Sequence, residues 1–217
     1  MRSHENEVNG LTLVLSEADI DQVLTMPDCL RVLEETFGDF GLILLFDIAT
    51  TAPLAIMQDS GIQRMRVGAT SAIAAKYVAR ADATRVGMFG TGWQAGPQLE
   101  ALRHVRDVSI ANVYSLDRGR RERFAEELNA RMPFPVVAVD DPRDVVRGAD
   151  IVVAATNSQS AVFDGAWLEP GQHVNSLQAG ELNATTHGRA DSIVIRAFEK
   201  SLQYLQAAAP DLPVHTL

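Results

Sequence analysis

An α/β fold on a doubly wound parallel sheet is predicted by two features of this chain. After Asp82, short apolar runs alternate with amphipathic stretches. RVGMF, VSIANVY, FPVVAV, DIVVAAT, HVNSL and SIVIR read as strands, and WQAGPQLEALRHV, RRERFAEELNARM and PRDVVRG read as helices. This β-α-β-α alternation argues for a parallel sheet with helices covering both faces. A glycine-rich turn, GTGWQA from Gly90 to Ala95, joins the first of these strands to the first helix. Parallel strands need crossover connections, and helices in that role cover both faces of the sheet.

The part before Asp82 has a different pattern. SEADIDQVLTMPDCLRVLEETF, from Ser16 to Phe37, reads as two helical pieces: Ser16 is a candidate N-cap and Pro27 suits a first helical turn. Leu42 to Phe46 (LILLF) and Leu54 to Gln58 (LAIMQ) read as strands joined by a turn near Thr50 to Pro53. An Ala-rich helix without proline is expected from about Gly61 to Arg80, and Gly68, Ala69, Ala72 and Ala75 would let another backbone come close. The expected organisation is a partial domain with its connecting helix over residues 1–82, a nucleotide-binding domain over 83–196, and a C-terminal segment over 197–217. The tail from Leu205 carries two prolines and is expected to be loose.

Composition narrows the class of partner. Nineteen Lys and Arg against 28 Asp and Glu give a net charge of -9, which repels a nucleic-acid backbone, so nucleic acid is not an expected partner. Cys29 is the single cysteine, which excludes an intrachain disulfide and a cysteine-based zinc cluster, fits a reducing compartment, and reads as a buried apolar side chain. The five histidines are scattered without metal-ligand spacing, and no metal is expected. The apolar run from Leu42 to Met57 is interrupted by Asp47 and Pro53 and falls short of the ~20 residues a membrane helix needs. With no signal peptide at the N-terminus, a cytoplasmic protein away from membranes is expected.

GTGWQA has the GxGxxA form. Gly90 permits the tight strand-to-helix turn, Gly92 removes a side chain where a pyrophosphate must approach, and Ala95 keeps helix and strand close. Thr91, Trp93 and Gln94 complete the loop, and the anion would sit on the free amides of the helix N-terminus. With its flanking strand and helix, this is the dinucleotide signature of a Rossmann-type fold. At the end of the second strand Ser115 stands where a ribose-binding carboxylate is usual. A serine does not repel a 2′-phosphate, and Arg118, Arg120 and Arg121 could pair with one, so NADP is favoured over NAD. Asp117 is either a ribose ligand or the N-cap of the following helix, with the cap favoured. Thr156 and Asn157, ending the strand DIVVAAT, either contact the nicotinamide side of the cofactor or cap a turn.

Taken in order, LILLFDIATTAPLAIMQDSG, RMRVGATSAIAAKYVAR, GTGWQA, ADIVVAATNS and WLEPGQHVNSLQAGEL resemble the ornithine cyclodeaminase/mu-crystallin family from about Leu42 to Lys200. The resemblance implies a Rossmann-type nucleotide domain beside a substrate and dimerisation domain, which here looks incomplete, and a homodimer. It implies an NAD(P)-dependent oxidoreductase acting on a small imino or amino acid, of the cyclic imine or ketimine reductase type. An ornithine cyclodeaminase, or a catalytically impaired nucleotide-binding remnant or regulatory subunit, are the alternatives. Arg66, in the motif RVGA, resembles a substrate-carboxylate clamp, for which a planar guanidinium is suited, while its plain reading is a helix-surface arginine. Lys76 also matches the family and reads as structural.

Three departures from the family pattern bear on catalysis. The chain passes directly from Gly41 to Leu42, without the strands that carry a further arginine and lysine in the family. The loop LQAGEL lacks the family's acid/base aspartate, and Glu181 matches a glutamate of a different role. The chain ends before the family's closing helix and strands. The catalytic acid/base is therefore unassigned, and weak activity with self-association is expected of this chain alone.

Overall fold

The computed structural model describes residues 42–195 and 214–216. The helical pieces expected between Ser16 and Phe37, with Cys29, lie outside the described residues. The chain divides into two compact units between Ser60 and Gly61.

In the first unit, β1 (Leu42–Phe46) and β2 (Pro53–Gln58) pair antiparallel, with the register slipping between Leu45 and Phe46. Phe46 is opposite Pro53 there, and a proline without an amide is tolerated at such an irregularity. The turn is held by Asp47, whose carboxylate accepts from the amides of Ala49 and Thr50 and from the Thr50 hydroxyl. Leu44, Leu45, Phe46 and Leu54 are half-exposed or more.

All but the first two residues of α1 (Asp59–Val78) belong to the second unit. Asp59 in its first turn and Lys76 in its last complement the helix dipole. One face is made of small residues: a Cβ on Gly68 would lie 2.6 Å from the Pro97 carbonyl oxygen, and Ser71, Ala72 and Ala75 are buried. Ala69, expected on that face, is exposed, because one residue's turn carries it round to the other side. The Arg106 guanidinium donates to the carbonyls of Ala75, Lys76 and Ala79 at 2.9–3.1 Å, gathering acceptors at the end of the helix, where carbonyls run out of helical partners.

The sheet follows: β3 (Arg85–Phe89), α2 (Ala95–Leu102), β4 (Ile110–Tyr114), α3 (Arg118–Asn129), β5 (Val136–Ala138), α4 (Arg143–Val146), β6 (Ile151–Ala154) and β7 (His173–Ser176). The strands are all parallel, in the order β5-β4-β3-β6-β7, so β3 is central. Side chains alternate between the faces. Val86 and Met88 of β3, with Ile151 and Val153 of β6, pack with Leu99, Leu102 and Leu128 of α2 and α3. Phe89 and Val152 face the other way, towards Val145, Val146 and Phe163, with the two phenyl rings stacked 5.2 Å apart. Burying a leucine or valine in such a core stabilises the fold by about 1.5–3 kcal/mol each. Gly87 brings α4 onto β3, since a Cβ there would fall 1.9 Å from the Val145 carbonyl oxygen.

Asp150, at the entrance to β6, accepts from the amides of Thr84 and Arg85 at 2.9 Å and pairs with Arg80 beyond the end of α1. Burial works against its ionisation, but the two amides and the guanidinium outweigh it, and its pKa is lowered. A carboxyl whose folded pKa is depressed stabilises fully above its unfolded pKa, and that contribution fades as pH falls through the folded value. Urea midpoints should therefore drop more between pH 5 and pH 3 in the parent than in Asp150→Asn. Equal drops would show that Asp150 has no part in the acid limb.

Two expectations need correction. The strand in SIVIR, β8 (Ile193–Ile195), is not part of the five-stranded sheet. It pairs in parallel with β9 (Val214–Thr216), so the tail expected to be loose contains a strand. Both are three-residue segments whose partners are far apart in sequence, and such pairing leaves little local trace. A short helix also went unread: α5 (Ala184–Gly188) is capped by Asn183, whose side chain accepts from the Thr186 amide at 2.8 Å. No helix among the described residues is long and apolar enough to cross a membrane.

Candidate functional site

The strand order places the chain's reversal at β3 and β6. From β3 the chain winds outward through β4 and β5, then returns to β6 on the other side and continues to β7. In open parallel sheets the crevice at the carboxyl ends of the two strands flanking such a reversal is where ligands bind. GTGWQA leaves β3 at this point.

Gly90 has φ +100°, and a Cβ on it would sit 2.3 Å from the Ala155 carbonyl oxygen and 3.0 Å from the Thr156 methyl carbon. Its amide donates to the Tyr114 carbonyl at 2.9 Å. Gly92 is exposed, and the place where its Cβ would stand is open, with nothing within 4 Å. Ala95 is fully buried at the start of α2. The three small residues thus have separate functions: Gly90 turns the chain against β6, Gly92 leaves open space before the helix N-terminus, and Ala95 seats the helix on the sheet. Open space beside Gly92, just before the N-terminus of α2, leaves room for a dinucleotide pyrophosphate to approach. Trp93 projects from the loop with the Arg64 guanidinium 5.4 Å from its ring centroid. The Gln94 Oε1, and both side-chain polar atoms of Gln98 one turn on, are buried without a hydrogen-bond partner among the described residues.

At the end of β4, the Ser115 hydroxyl accepts from the Thr91 hydroxyl at 3.1 Å and donates to the Asp117 carbonyl at 3.2 Å, which ties the glycine loop to this strand. Asp117 is the N-cap of α3, accepting from the Arg120 amide at 2.9 Å. The arginines here differ. Arg121 is buried, donates to the Ser115 carbonyl, pairs with Asp140 and lies over the Tyr114 ring. Arg118 forms an exposed pair with Glu122 at 2.7 Å. Arg120 and Arg123 line a cleft of about 160 Å³ with Thr91, Phe124 and Glu127.

At the end of β6, Thr156 donates through both its amide and its hydroxyl to one carboxylate oxygen of Glu181. The other oxygen accepts from the Ser176 hydroxyl and the amides of Leu177 and Gln178, each at 2.9 Å. Glu181 is fully buried. The Thr156 hydroxyl, read as either a cofactor contact or a turn cap, donates to Glu181 and accepts from the Ser158 amide at 3.1 Å. Asn157 is exposed at the rim. Sequence reading noticed Glu181 but not this brace. The available signal was the hydroxyl and polar residues at the ends of both strands, Thr156 and Ser176, beside a nearby acid.

Arg66 is exposed on the face of α1 turned away from Gly68, alongside Ile62, Ile73 and Tyr77. Lys76 is exposed as well, with its ammonium 5.6 Å from the Tyr77 ring centroid.

Residues 13–191 match the ornithine cyclodeaminase/mu-crystallin family. This chain belongs to that family. A Delta(1)-pyrroline-2-carboxylate reductase of Bacillus cereus is 30% identical over 208 residues, covering 91% of this chain and 63% of the relative. The solved structure of the Thermococcus litoralis Delta(1)-pyrroline-2-carboxylate reductase, in complex with NADH and L-proline, is 36% identical with a TM-score of 0.69, over 71% of this chain and 50% of that one. An archaeal alanine dehydrogenase, solved as a dimer with NAD bound, is 27% identical with a TM-score of 0.72, over 81% of this chain and 58% of that one. The family member described here thus spans between half and two thirds of the length of these relatives.

Proposed function

We propose that this chain binds a nicotinamide dinucleotide across the carboxyl ends of β3 and β6, and that the protein is a reductase of a small cyclic imine or imino acid. The observation that carries the reading is the glycine turn from Gly90 to Ala95 at the sheet's reversal point, with open space where a Gly92 side chain would stand, in a member of a family with NADH- and NAD-bound relatives. When bound, the reduced nicotinamide supplies a hydride to the substrate's imine carbon. The protein holds the pyrophosphate at Gly92 and α2, and Arg66 is the candidate for a substrate carboxylate. We place it in the cytoplasm as a homodimer, on the single cysteine and the exposed apolar side chains of β1, β2 and α1. Purified protein that sediments as a dimer and oxidises reduced dinucleotide with Delta(1)-pyrroline-2-carboxylate supports the reading. A protein that binds no dinucleotide overturns it.

One observation favours a second reading, a nucleotide-binding protein without turnover. The loop after β7 offers Glu181 as its carboxylate, and all five of its hydrogen bonds come from within the protein, so it is not free to move a proton for a substrate. Dinucleotide binding without imine reduction is the result that would select it.

For the cofactor's ribose, the reading is NADP over NAD. Ser115 adds no negative charge at the end of β4, and Arg118, Arg120 and Arg123 stand on the exposed side of α3. Two exposed guanidinium contacts to a 2′-phosphate correspond to about a tenfold preference. Dissociation constants for NADPH and NADH at one salt concentration decide it, because such contacts are screened by salt. Tighter NADH binding would overturn the choice.

A further inference from the structure

We infer that Glu181 is a positioning residue for the nicotinamide half of the bound dinucleotide, acting through the two loops it ties together. This rests on the cofactor reading above. A fully buried carboxylate is tolerated only where its oxygens are satisfied, and here five donors converge on it. Two come from the end of β6 and three from the end of β7. These strands are neighbours, and both run out at the same edge of the sheet. The carboxylate is therefore a brace between two loops that the backbone also joins, from the Leu177 amide to the Ala154 carbonyl at 3.1 Å and from the Val162 amide to the Glu181 carbonyl at 3.0 Å, and it adds the side-chain ties that fix Thr156 and Gln178.

The side of the crevice involved gives the brace its meaning. The pyrophosphate position at Gly92 divides the site. On one side lies the end of β4, with Ser115 and the α3 arginines, where the adenosine ribose sits in this fold. On the other lie β6 and β7, so the nicotinamide half must run along the loops that Glu181 holds. The Thr156 methyl carbon sits at Gly90, and the Thr156 amide and hydroxyl are fixed on Glu181, so the brace reaches the wall of the crevice within one residue. The Ser115 and Asp117 contacts make no use of Glu181.

Glu181→Gln tests this asymmetry. A glutamine side chain presents one acceptor and one NH2 group, so either the Thr156 amide or the Leu177 and Gln178 amides must face another donor. ADP-ribose, which ends before the nicotinamide, is titrated beside the reduced dinucleotide by calorimetry, and the nicotinamide fluorescence of the bound form is recorded. ADP-ribose affinity should stay within about twofold, while reduced dinucleotide should weaken about tenfold or more and the bound nicotinamide fluorescence should approach that of the free form, as expected when buried donors lose their acceptor. A role in stability alone would shift both ligands together or neither. If the parent binds both ligands and Glu181→Gln weakens them equally, or weakens neither, the inference is overturned while the cofactor reading stands. A parent that binds neither ligand overturns both. Should Glu181→Gln not fold, Thr156→Val removes a single donor with similar shape, and the same two titrations apply, with a smaller selective loss of dinucleotide expected and an unselective result counting against the inference.

Discussion

Replacing Gly92 with valine should leave the protein folded and weaken dinucleotide binding by about a hundredfold or more, as expected for a side chain forced between a pyrophosphate and the amides that hold it. The two halves of that expectation have separate causes. Gly92 is outside the left-handed region, and nothing lies within 4 Å of the position a Cβ would take, so valine meets no wall of the protein. The same open space is the volume a pyrophosphate needs in order to reach the start of α2. A β-branched side chain has two methyl groups to place there and restricted rotamers with which to move them aside. Thermal midpoints of parent and variant should agree to within a few degrees, and titration with NADPH or NADH should show the loss. If Gly92→Val keeps parental affinity while folded, this loop does not hold the pyrophosphate, and the assignment of the site fails with it.

The fold class was legible because short apolar strands alternate with amphipathic helical stretches after Asp82, and that order occurs where helices cross over the faces of a parallel sheet. The glycine loop was legible for a local reason, since GxGxxA directly after a strand constrains backbone and packing within six residues. The Asp117 cap was legible on the same ground. What could not be read were relations between distant segments. Neither the pairing of β8 with β9 nor the convergence of Thr156, Ser176, Leu177 and Gln178 on Glu181 follows from the spacing of any one stretch. The arginines after β4 are an intermediate case. Their presence pointed to a phosphate, but helix phase decides which of them faces solvent. It buries Arg121 against Ser115 and Asp140, pairs Arg118 with Glu122, and leaves Arg120 and Arg123 on a cleft beside Thr91.

Gly90 should give the opposite result to Gly92, with stability falling first. A residue with a Cβ at φ +100° is strained by about 1–2 kcal/mol before any neighbour is considered. The neighbours then add to this, because the new carbon would stand 2.3 Å from the Ala155 carbonyl oxygen, a backbone atom that can yield only if the end of β6 shifts. Overpacking of that kind costs about 1–3 kcal/mol, so Gly90→Ala should lose roughly 3 kcal/mol in all. For a folded unit of this size that corresponds to a thermal midpoint lower by about 6–12 °C. Urea unfolding should show a lower midpoint with an unchanged slope, since the surface exposed on unfolding is the same. Any shift that relieves the collision also parts β3 from β6 at the reversal point, so dinucleotide binding should weaken even in the fraction that stays folded. A Gly90→Ala protein within about 1 kcal/mol of the parent would mean that the close approach of Gly90 to Ala155 does not exist in solution, and the strand-to-helix turn would then have to be drawn differently.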